Sequence, residues 1–408
     1  MSMIDSVTIR PVLADELPAV AQVRAIGFGG EPEMALNRLQ SNPRYNAPHI
    51  VVAIYKGKII GTTTAFSAKM WLSGVPMKIG AVAGVATLPE YRRKGVAAKM
   101  MRFIIGKMFN EGDALSILYP FSPAYYNKFD YGTIGDLHAY RIKTDNLRPS
   151  EEGHKVRPFA PQDSRMMRVI YKGQMTWHNG WFTRSDEWWE QLINRWPGIM
   201  VFDNEGMIEG YYAYDLRNDD DGHSVLNIIE LFAADGPAYQ GLIGHLARQK
   251  EADIVEYLAP PNTPLRHLMR HPMADNAQNR TWIFNDLCHV TPGPMGRIIN
   301  LSKALTTRFY NRTISGERVL KITDPLIPTN EDALIFRVVD GRPEVHSAKG
   351  LTPQIETDIR TFSQILCGYL SAKDAQYIGW LRADESSCSW LDKIIADTPL
   401  FIQAGDWF

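Results

Sequence analysis

The stretch Leu88-Pro89-Glu90-Tyr91-Arg92-Arg93-Lys94-Gly95-Val96-Ala97 sets three successive cations directly before a glycine and an amphipathic helical run. The first turn of a helix leaves amide N–H groups without carbonyl partners and carries the positive end of the helix dipole, so it favours anions rather than cations. Cations and bare amides gathered together call for negative charge, and a pyrophosphate satisfies both. Pro89 ends the strand before the turn because it has no N–H for a ladder. Gly95 lets the backbone approach a ligand, and the small Ala97 keeps the first helical turn open. The spacing is neither G-x-x-x-x-G-K-[S/T] nor G-x-G-x-x-G, the two common phosphate-binding loops. By spacing alone it also suits a solvated basic turn.

Other chemistry-bearing residues carry weaker signals. His267 and His271 stand four apart, as two helical zinc ligands do, but no glutamate follows His267 and no third ligand is evident. Cys288 precedes His289, yet sequence adjacency is not a nucleophile–base geometry, and a buried structural thiol is expected. Asp219, Asp220 and Asp221 lack the spacing of a calcium loop and read as a hairpin tip. Trp177, Trp181, Trp188, Trp189 and Trp196 recur at rough helical spacing and read as packing. No metal is expected.

The elements that must hold the basic turn follow an α/β order. Val-Thr-Ile-Arg-Pro-Val reads as a strand, and the run from Ala14 to Phe28 as an amphipathic helix. A hairpin turns at Lys56-Gly57, the strand 79–88 looks buried, and Val96, Met100, Ile104 and Met108 line one face of a helix. A strand begins near Ala114. Much of this recurs: Gly206 follows Gly57 and Gly210 follows Gly61 by 149 positions, and Pro237 and Tyr239 follow Pro89 and Tyr91 by 148. Such offsets predict a duplicated domain whose second copy, without the Arg-Arg-Lys-Gly turn, is not catalytic. From about Thr291 a linker feeds a helix and a third, α+β unit with helical residues 355–371. The expected domains are 1–150, 151–290 and 291–408.

Bulk properties set limits. A net charge of −1 over 408 residues gives no overall attraction for nucleic acid or an anionic membrane. Three scattered cysteines support neither a disulfide framework nor a zinc cluster, and no run of about 20 apolar residues occurs. The opening residues lack a signal pattern, so a cytoplasmic protein is expected.

Arg92-x-x-Gly95-x-Ala97 between a strand and an amphipathic helix resembles the acyl-CoA loop of the GNAT acetyltransferases, and Phe121-Ser122-Pro-Ala-Tyr-Tyr126-Asn-Lys-Phe129-Asp-Tyr131-Gly132 resembles the Y-x-x-F-x-Y-G signature of the enhanced intracellular survival (Eis) branch. The duplication, the change of texture near residue 291 and the aromatic end Asp406-Trp407-Phe408 fit that branch as well. The resemblance implies tandem GNAT folds, each a mixed sheet flanked by helices, followed by a sterol-carrier-protein-like domain. It implies acetyl-CoA as cosubstrate, contacted by Val85, Ala86, Thr87, Arg92, Arg93, Lys94, Gly95, Val96, Ala97, Ala98, Phe121 and Ser122. It implies Tyr126 as proton donor to the leaving thiolate and the Phe408 carboxylate as base. The acceptor would be a primary amine of a cationic small molecule (aminoglycoside or polyamine-like) or a lysine side chain, and the assembly a homo-oligomer, hexameric by resemblance. A non-catalytic acyl-CoA or lipid-binding protein is the alternative on the same scaffold. Lys94 stands where relatives often carry a third arginine, which keeps charge and loses bidentate geometry.

Free-energy differences bound these roles. A phenol of pKa ~10 protonating a thiolate of pKa ~8.5 runs uphill by about 2 kcal/mol, so a hydrogen bond from Tyr126 is expected before proton transfer. A carboxylate of pKa ~3.5 taking a proton from an ammonium of pKa ~10.4 runs uphill by about 9 kcal/mol, which favours a water relay or capture of neutral amine.

Overall fold

The runs Ile50–Tyr55 (β2) and Lys58–Leu72 (β3) are rich in β-branched residues and meet at Lys56-Gly57, whose φ angles are both positive, 50° and 75°. That backbone belongs to the two-residue hairpin turns whose twist matches their strands. In the computed structural model, which describes residues 3–45, 47–272, 286–395 and 399–408, this hairpin is part of a seven-stranded sheet. Its order is β1 (Thr8–Pro11), β2, β3, β4 (Val75–Thr87), β5 (Leu115–Leu118), the strand Met295–Ile298, and β6 (Gly132–Thr133). Pairing is antiparallel throughout except between β4 and β5.

Helices close both cores of this sheet. In α1 (Leu17–Phe28), Val20, Ala21 and Val23 pack with Ile50, Val52, Ala86 and Leu88. A second helix, α2 (Pro32–Ser41), was not read from the sequence. In α3 (Val96–Glu111), the expected stripe of Val96, Met100, Ile104 and Met108 is buried together with Met101 and Ile105. Each such side chain contributes roughly 1.5–3 kcal/mol by leaving water.

A second seven-stranded sheet contains β7 (Asp136–Lys143), β8 (Val156–Pro158), β9 (Gly198–Asn204), β10 (Met207–Asn218), β11 (Ser224–Ala233), β12 (Ile254–Ala259) and β13 (His289–Pro292), in the order β13-β7-β12-β11-β10-β9-β8. The duplication is visible in backbone detail. Glu205-Gly206 repeats the turn, with φ of 54° and 92°. Gly61 pairs with Thr87 and Gly210 with Ala233 at the matching ends of the two hairpins. A Cβ on Gly61 would strike Met100 of α3; one on Gly210 would meet Leu242 of α7 (Gly236–Leu246).

One detail of the repeat is corrected. Gly210 stands 149 positions after Gly61, but Leu242 stands only 142 after Met100. Pro237 and Tyr239 lie inside α7, whereas Pro89 and Tyr91 precede α3, so they are not equivalent. The second copy has lost most of the turn: residues 88–95 separate β4 from α3, but only 234 and 235 separate β11 from α7.

Among the described residues, the chain divides into two compact units, Met1–Ile134 with Pro294–Thr398 and Phe408, and Gly135–Gly293 with Pro399–Trp407. The strand Asp136–Lys143 thus pairs with β12 and β13, although sequence reading assigned it to the first domain. Residues 295–298, read as linker, form a buried strand between β5 and β6. The remainder of the first unit holds a five-stranded sheet, in the order Arg342–Ser347, Leu334–Val339, Gly316–Thr323, Ile355–Asp358 and Leu381–Ala383, with the helices Ile359–Leu366 and Glu385–Ile394. Residues 355–358, expected as helix, are strand; Asp358 then caps the helix by accepting from the Thr361 amide. Among the described residues no helix is long and apolar enough to cross a membrane.

Candidate active site

Strand β4 changes partners where chemistry is expected. Its parallel ladder with β5 covers only Ile79–Val82 against Leu115–Leu118, so β4 continues to Thr87 without β5 beside it. On the other edge, Thr62 pairs with Ala86 and Thr64 with Ala83, which sets two residues, Gly84 and Val85, against Thr63 alone. This is a β-bulge, and Gly84 adopts a positive φ of 61° within it. The extra residue reverses the side-chain alternation. Val82 belongs to the core with Met101 and Ile104 of α3, while Ala86 belongs to the core with Val20 and Ala21 of α1.

Beyond Thr87 the chain makes a short 3-10 turn, Pro89–Tyr91, and Arg92 Nε donates to the Thr87 carbonyl at 3.2 Å. Arg93 (φ 60°) and Gly95 (φ 83°) both take left-handed backbone, which bends the turn around the start of α3. The side chains of Arg92, Arg93 and Lys94 are exposed. No side chain caps α3: Gly95 holds the N-cap and has none to offer. At the start of α7, by contrast, Asp235 accepts from the Ala238 amide at 2.9 Å. The second copy thus fills with its own carboxylate the place where the first leaves amides and cations open. The residues at α3 therefore fit a pyrophosphate, and the separation of β4 from β5 leaves backbone for an extended chain to lie along.

Tyr126 ends the short helix α4 (Pro123–Tyr126). Tyr126 is buried, while Phe121, with its ring 5.3 Å from that of Tyr126, is exposed. Among the described residues none hydrogen-bonds the Tyr126 hydroxyl. Burial pushes its pKa well above that of an ordinary phenol, with the neighbouring Tyr125 and Tyr131 adding to the effect. The loop that follows is pinned at two points. Tyr131 Oη lies 2.7 Å from Ser116 Oγ, which donates to the Gly80 carbonyl at 3.0 Å. The fully buried Arg297 donates to the Phe129 carbonyl at 2.9 Å, to the Ile298 carbonyl at 2.8 Å, and to the fully buried Asp324.

Phe408 packs edge-on against Phe66, 5.3 Å between ring centres, and against Tyr119 at 6.0 Å. Phe66 in turn meets Tyr45 at 5.5 Å and lies beneath the Arg44 guanidinium at 5.2 Å. In the second unit, the buried Arg184 holds two carboxylates, Glu230 at 2.6 and 3.1 Å and Asp406 at 2.9 to 3.1 Å, and Trp188 Nε1 also donates to Asp406 at 3.0 Å.

One residue of this region was not singled out from sequence. Arg24 of α1 lies 5.9 Å from the Tyr45 ring centre, donates from Nη2 to Thr64 Oγ1, and abuts Gly84, whose added Cβ would fall 2.8 Å from the guanidinium. The available signal was helical spacing: Val20, Arg24 and Gly27 share a face, and both flanking members touch the core. The remaining candidates sit elsewhere. Trp181, Trp188, Trp189 and Trp196 are buried and Trp177 is exposed. Cys288 is half-buried rather than buried, and desolvation pushes its thiol pKa up. His267 lies in the 3-10 turn Pro264–Leu268 and belongs to no group of three candidate metal ligands among the described residues. Asp219 caps its own hairpin tip by accepting from the amides of Asp221 and His223.

An acetyltransferase (GNAT) domain model matches residues 8–134, a second acetyltransferase (GNAT) domain model matches 180–298, and a sterol carrier protein domain matches 301–403. The chain belongs to the GNAT acetyltransferases, with two such domains and a sterol-carrier-protein domain after them. An uncharacterized N-acetyltransferase of Streptomyces avermitilis is 24% identical over 297 residues, 67% of this chain and 68% of its own. One from Streptomyces coelicolor is 22% identical over 289 residues, covering 66% and 67%. Among solved structures, a GCN5-related N-acetyltransferase from Anabaena variabilis matches with a TM-score of 0.85 at 20% identity, covering 98% of this chain and all of that one. Eis1 from Mycobacterium abscessus matches with a TM-score of 0.78 at 20% identity over the same shares. The protein is an acyltransferase with N-acetyltransferase activity; GNAT domains take acetyl-CoA as cosubstrate and amines as acceptors.

Proposed function

We propose that the first domain transfers the acetyl group of acetyl-CoA directly to a primary amine, on a small molecule of aminoglycoside or polyamine type or on a lysine side chain. The observation that carries this reading is the uncapped, cation-flanked start of α3 beside a bulged strand, set against the Asp235-capped start of α7. In this reading Arg92, Arg93, Lys94 and the amides of Gly95, Val96, Ala97 and Ala98 hold the pyrophosphate. Val85, Ala86 and Thr87 present backbone to the pantetheine arm, with Phe121 and Ser122 contacting CoA from the α4 side. The Val85 amide, turned by the bulge, polarises the thioester carbonyl.

The neutral acceptor amine attacks the carbonyl carbon, the C–S bond breaks, and the thiolate leaves with the hydroxyl proton of Tyr126 hydrogen-bonded to it. Because burial raises the Tyr126 pKa, full proton transfer is costlier than for an ordinary phenol, and the hydroxyl acts as a donor. Phe408, through its α-carboxylate, draws in and orients the amine, and a water relays the proton lost by the acetylated nitrogen to solvent, leaving CoA as a thiolate hydrogen-bonded by Tyr126. A division of labour among a catalytic first GNAT domain, a non-catalytic second one and a sterol-carrier-protein-like domain, a hexameric assembly and a cytoplasmic setting complete the proposal.

The test is acetyl-CoA consumption over polyamines, aminoglycosides and lysine peptides, with Tyr126→Phe as control and a variant extended by one residue after Phe408. Turnover that falls in both variants supports the assignment. Binding of acetyl-CoA without turnover of any amine would favour a non-catalytic acyl-CoA-binding protein.

A further inference from the structure

We propose that Arg24 is an anion anchor for the acceptor, so that the amine this enzyme acetylates belongs to a molecule that also carries a carboxylate or a comparable acidic group. The inference rests on the acetyl-transfer reading above and narrows its acceptor class.

Among the described residues the charge on Arg24 has no counter-charge. Arg24 is partly buried and its Nε is fully enclosed without a hydrogen-bond partner. Among the described residues its one side-chain hydrogen bond goes from Nη2 to a neutral hydroxyl, that of Thr64, and no carboxylate lies within ion-pair distance. Among the described residues, the ring it lies over is that of Tyr45. Nη1 is neither fully enclosed nor bonded to a described residue, so its two N–H donors are uncommitted. Guanidinium groups removed from water are ordinarily matched by carboxylates, because burying an unpaired charge is expensive. A fold that keeps one here, with no Asp or Glu beside it, leaves that match to something that arrives from solution.

Place decides what arrives. The guanidinium lies against Gly84, the residue preceding Val85 in the β4 bulge, and a side chain at Gly84 would collide with it. Through Tyr45 and Phe66 it connects to Phe408 by successive ring contacts of 5.9, 5.5 and 5.3 Å. Arg44 adds a second guanidinium over Phe66. Along this line the Arg24 end thus offers a guanidinium and aromatic rings, and the far end the Phe408 residue with its α-carboxylate. At Arg24 a second cationic group of a polycationic acceptor would meet like charge, whereas an acid group would form charge-assisted hydrogen bonds with Nη1. Because the aromatic residues separate Arg24 from Phe408, the acid and the amine belong at opposite ends of the acceptor, as in an ω-amino acid or in lysine with a free carboxylate.

The test pairs acceptors of equal length: 4-aminobutanoate against 1,4-diaminobutane, and 6-aminohexanoate against 1,6-diaminohexane. The full-length enzyme should prefer the amino acid by at least about tenfold in kcat/KM, mostly through KM, as one charge-assisted contact implies. Arg24→Met should bring the ratio close to one, and Arg24→Lys should restore part of it. A wild-type preference for the diamine, or a ratio unchanged in Arg24→Met, overturns the proposal. A second readout needs no turnover: 6-acetamidohexanoate should raise the thermal midpoint of wild type but not of Arg24→Met, and its uncharged primary amide should raise neither. Equal shifts in wild type and Arg24→Met also overturn it. An Arg24-dependent shift without acetylation of any amine would leave the anion site standing and remove the acetyl-transfer reading instead.

Discussion

Gly95 and Asp235 hold the same place before corresponding helices, yet they treat the amides of the first turn in opposite ways. Gly95 offers no side chain and leaves those amides open beside three cations; Asp235 satisfies one of its own. The two positions should therefore respond differently to substitution. Arg92→Glu with Arg93→Glu should weaken acetyl-CoA binding at least about 100-fold by calorimetry, since two charge-assisted contacts become repulsive. Asp235→Ala should cost about 1 kcal/mol in denaturant unfolding, as loss of a helix cap does, and leave the acetyl-CoA Kd unchanged.

Tyr126 gives a prediction in which pH carries the information. Burial raises its pKa above the ordinary phenol value of about 10, so the hydroxyl keeps its proton across the usual assay range. The rate should not decline on a basic limb between pH 9 and about 10 on account of this residue. Tyr126→Phe should lower kcat by about 100-fold, the lower end for a lost proton donor, with the acetyl-CoA KM nearly constant. A kcat–pH profile whose basic limb disappears in Tyr126→Phe would contradict the assignment.

How much of this site is legible without coordinates depends on how local its causes are. Lys56-Gly57 and Glu205-Gly206 are visible because a two-residue hairpin turn demands particular residues where the chain bends. The basic turn is visible because charge at a helix start contradicts the dipole. The strand Met295–Ile298 is not, because Gly293, Pro294 and Gly296 look like punctuation and its partners, β5 and β6, lie more than 150 residues away. The false match of Pro89 with Pro237 has a similar origin, since Pro suits both a turn and a helix's first positions. Arg24 was hidden because a single arginine in a helix is ordinarily solvated, and its enclosure depends on the bulge at Gly84.

The helix that carries Arg24 begins with an ion pair that titrates. Two hydrogen bonds from Arg10, at 2.7 and 2.6 Å, and one from the Leu13 amide at 2.8 Å bring the Glu16 carboxyl down to about 2. A folded-state pKa below the unfolded one gives stability that is present above the unfolded value and lost as pH falls toward the folded one. Wild type should thus lose stability between the ordinary carboxylate value of 4.5 and about 2, and Glu16→Gln, starting lower at neutral pH, should lose less over that interval. Urea midpoints at pH 7, 4 and 3 would show whether the gap between the two proteins narrows on acidification.

Arg297 separates fold from catalysis. Its guanidinium is fully buried, pairs with Asp324, and donates to the carbonyl of Phe129, three residues after Tyr126. Asp324 is also bonded by Asn330 Nδ2 at 2.8 Å. Removing one member of such a pair leaves an uncompensated buried charge, so Arg297→Met should cost about 3–5 kcal/mol. The double variant Arg297→Met with Asp324→Leu should recover most of that loss, because an apolar replacement leaves no charge behind. It should not recover the hydrogen bond to Phe129, which fixes the loop after Tyr126. We expect the double variant to unfold near the wild-type denaturant midpoint while its kcat stays at least about tenfold down, as a misplaced catalytic group implies. Full recovery of kcat along with stability would show that Arg297 serves the fold alone.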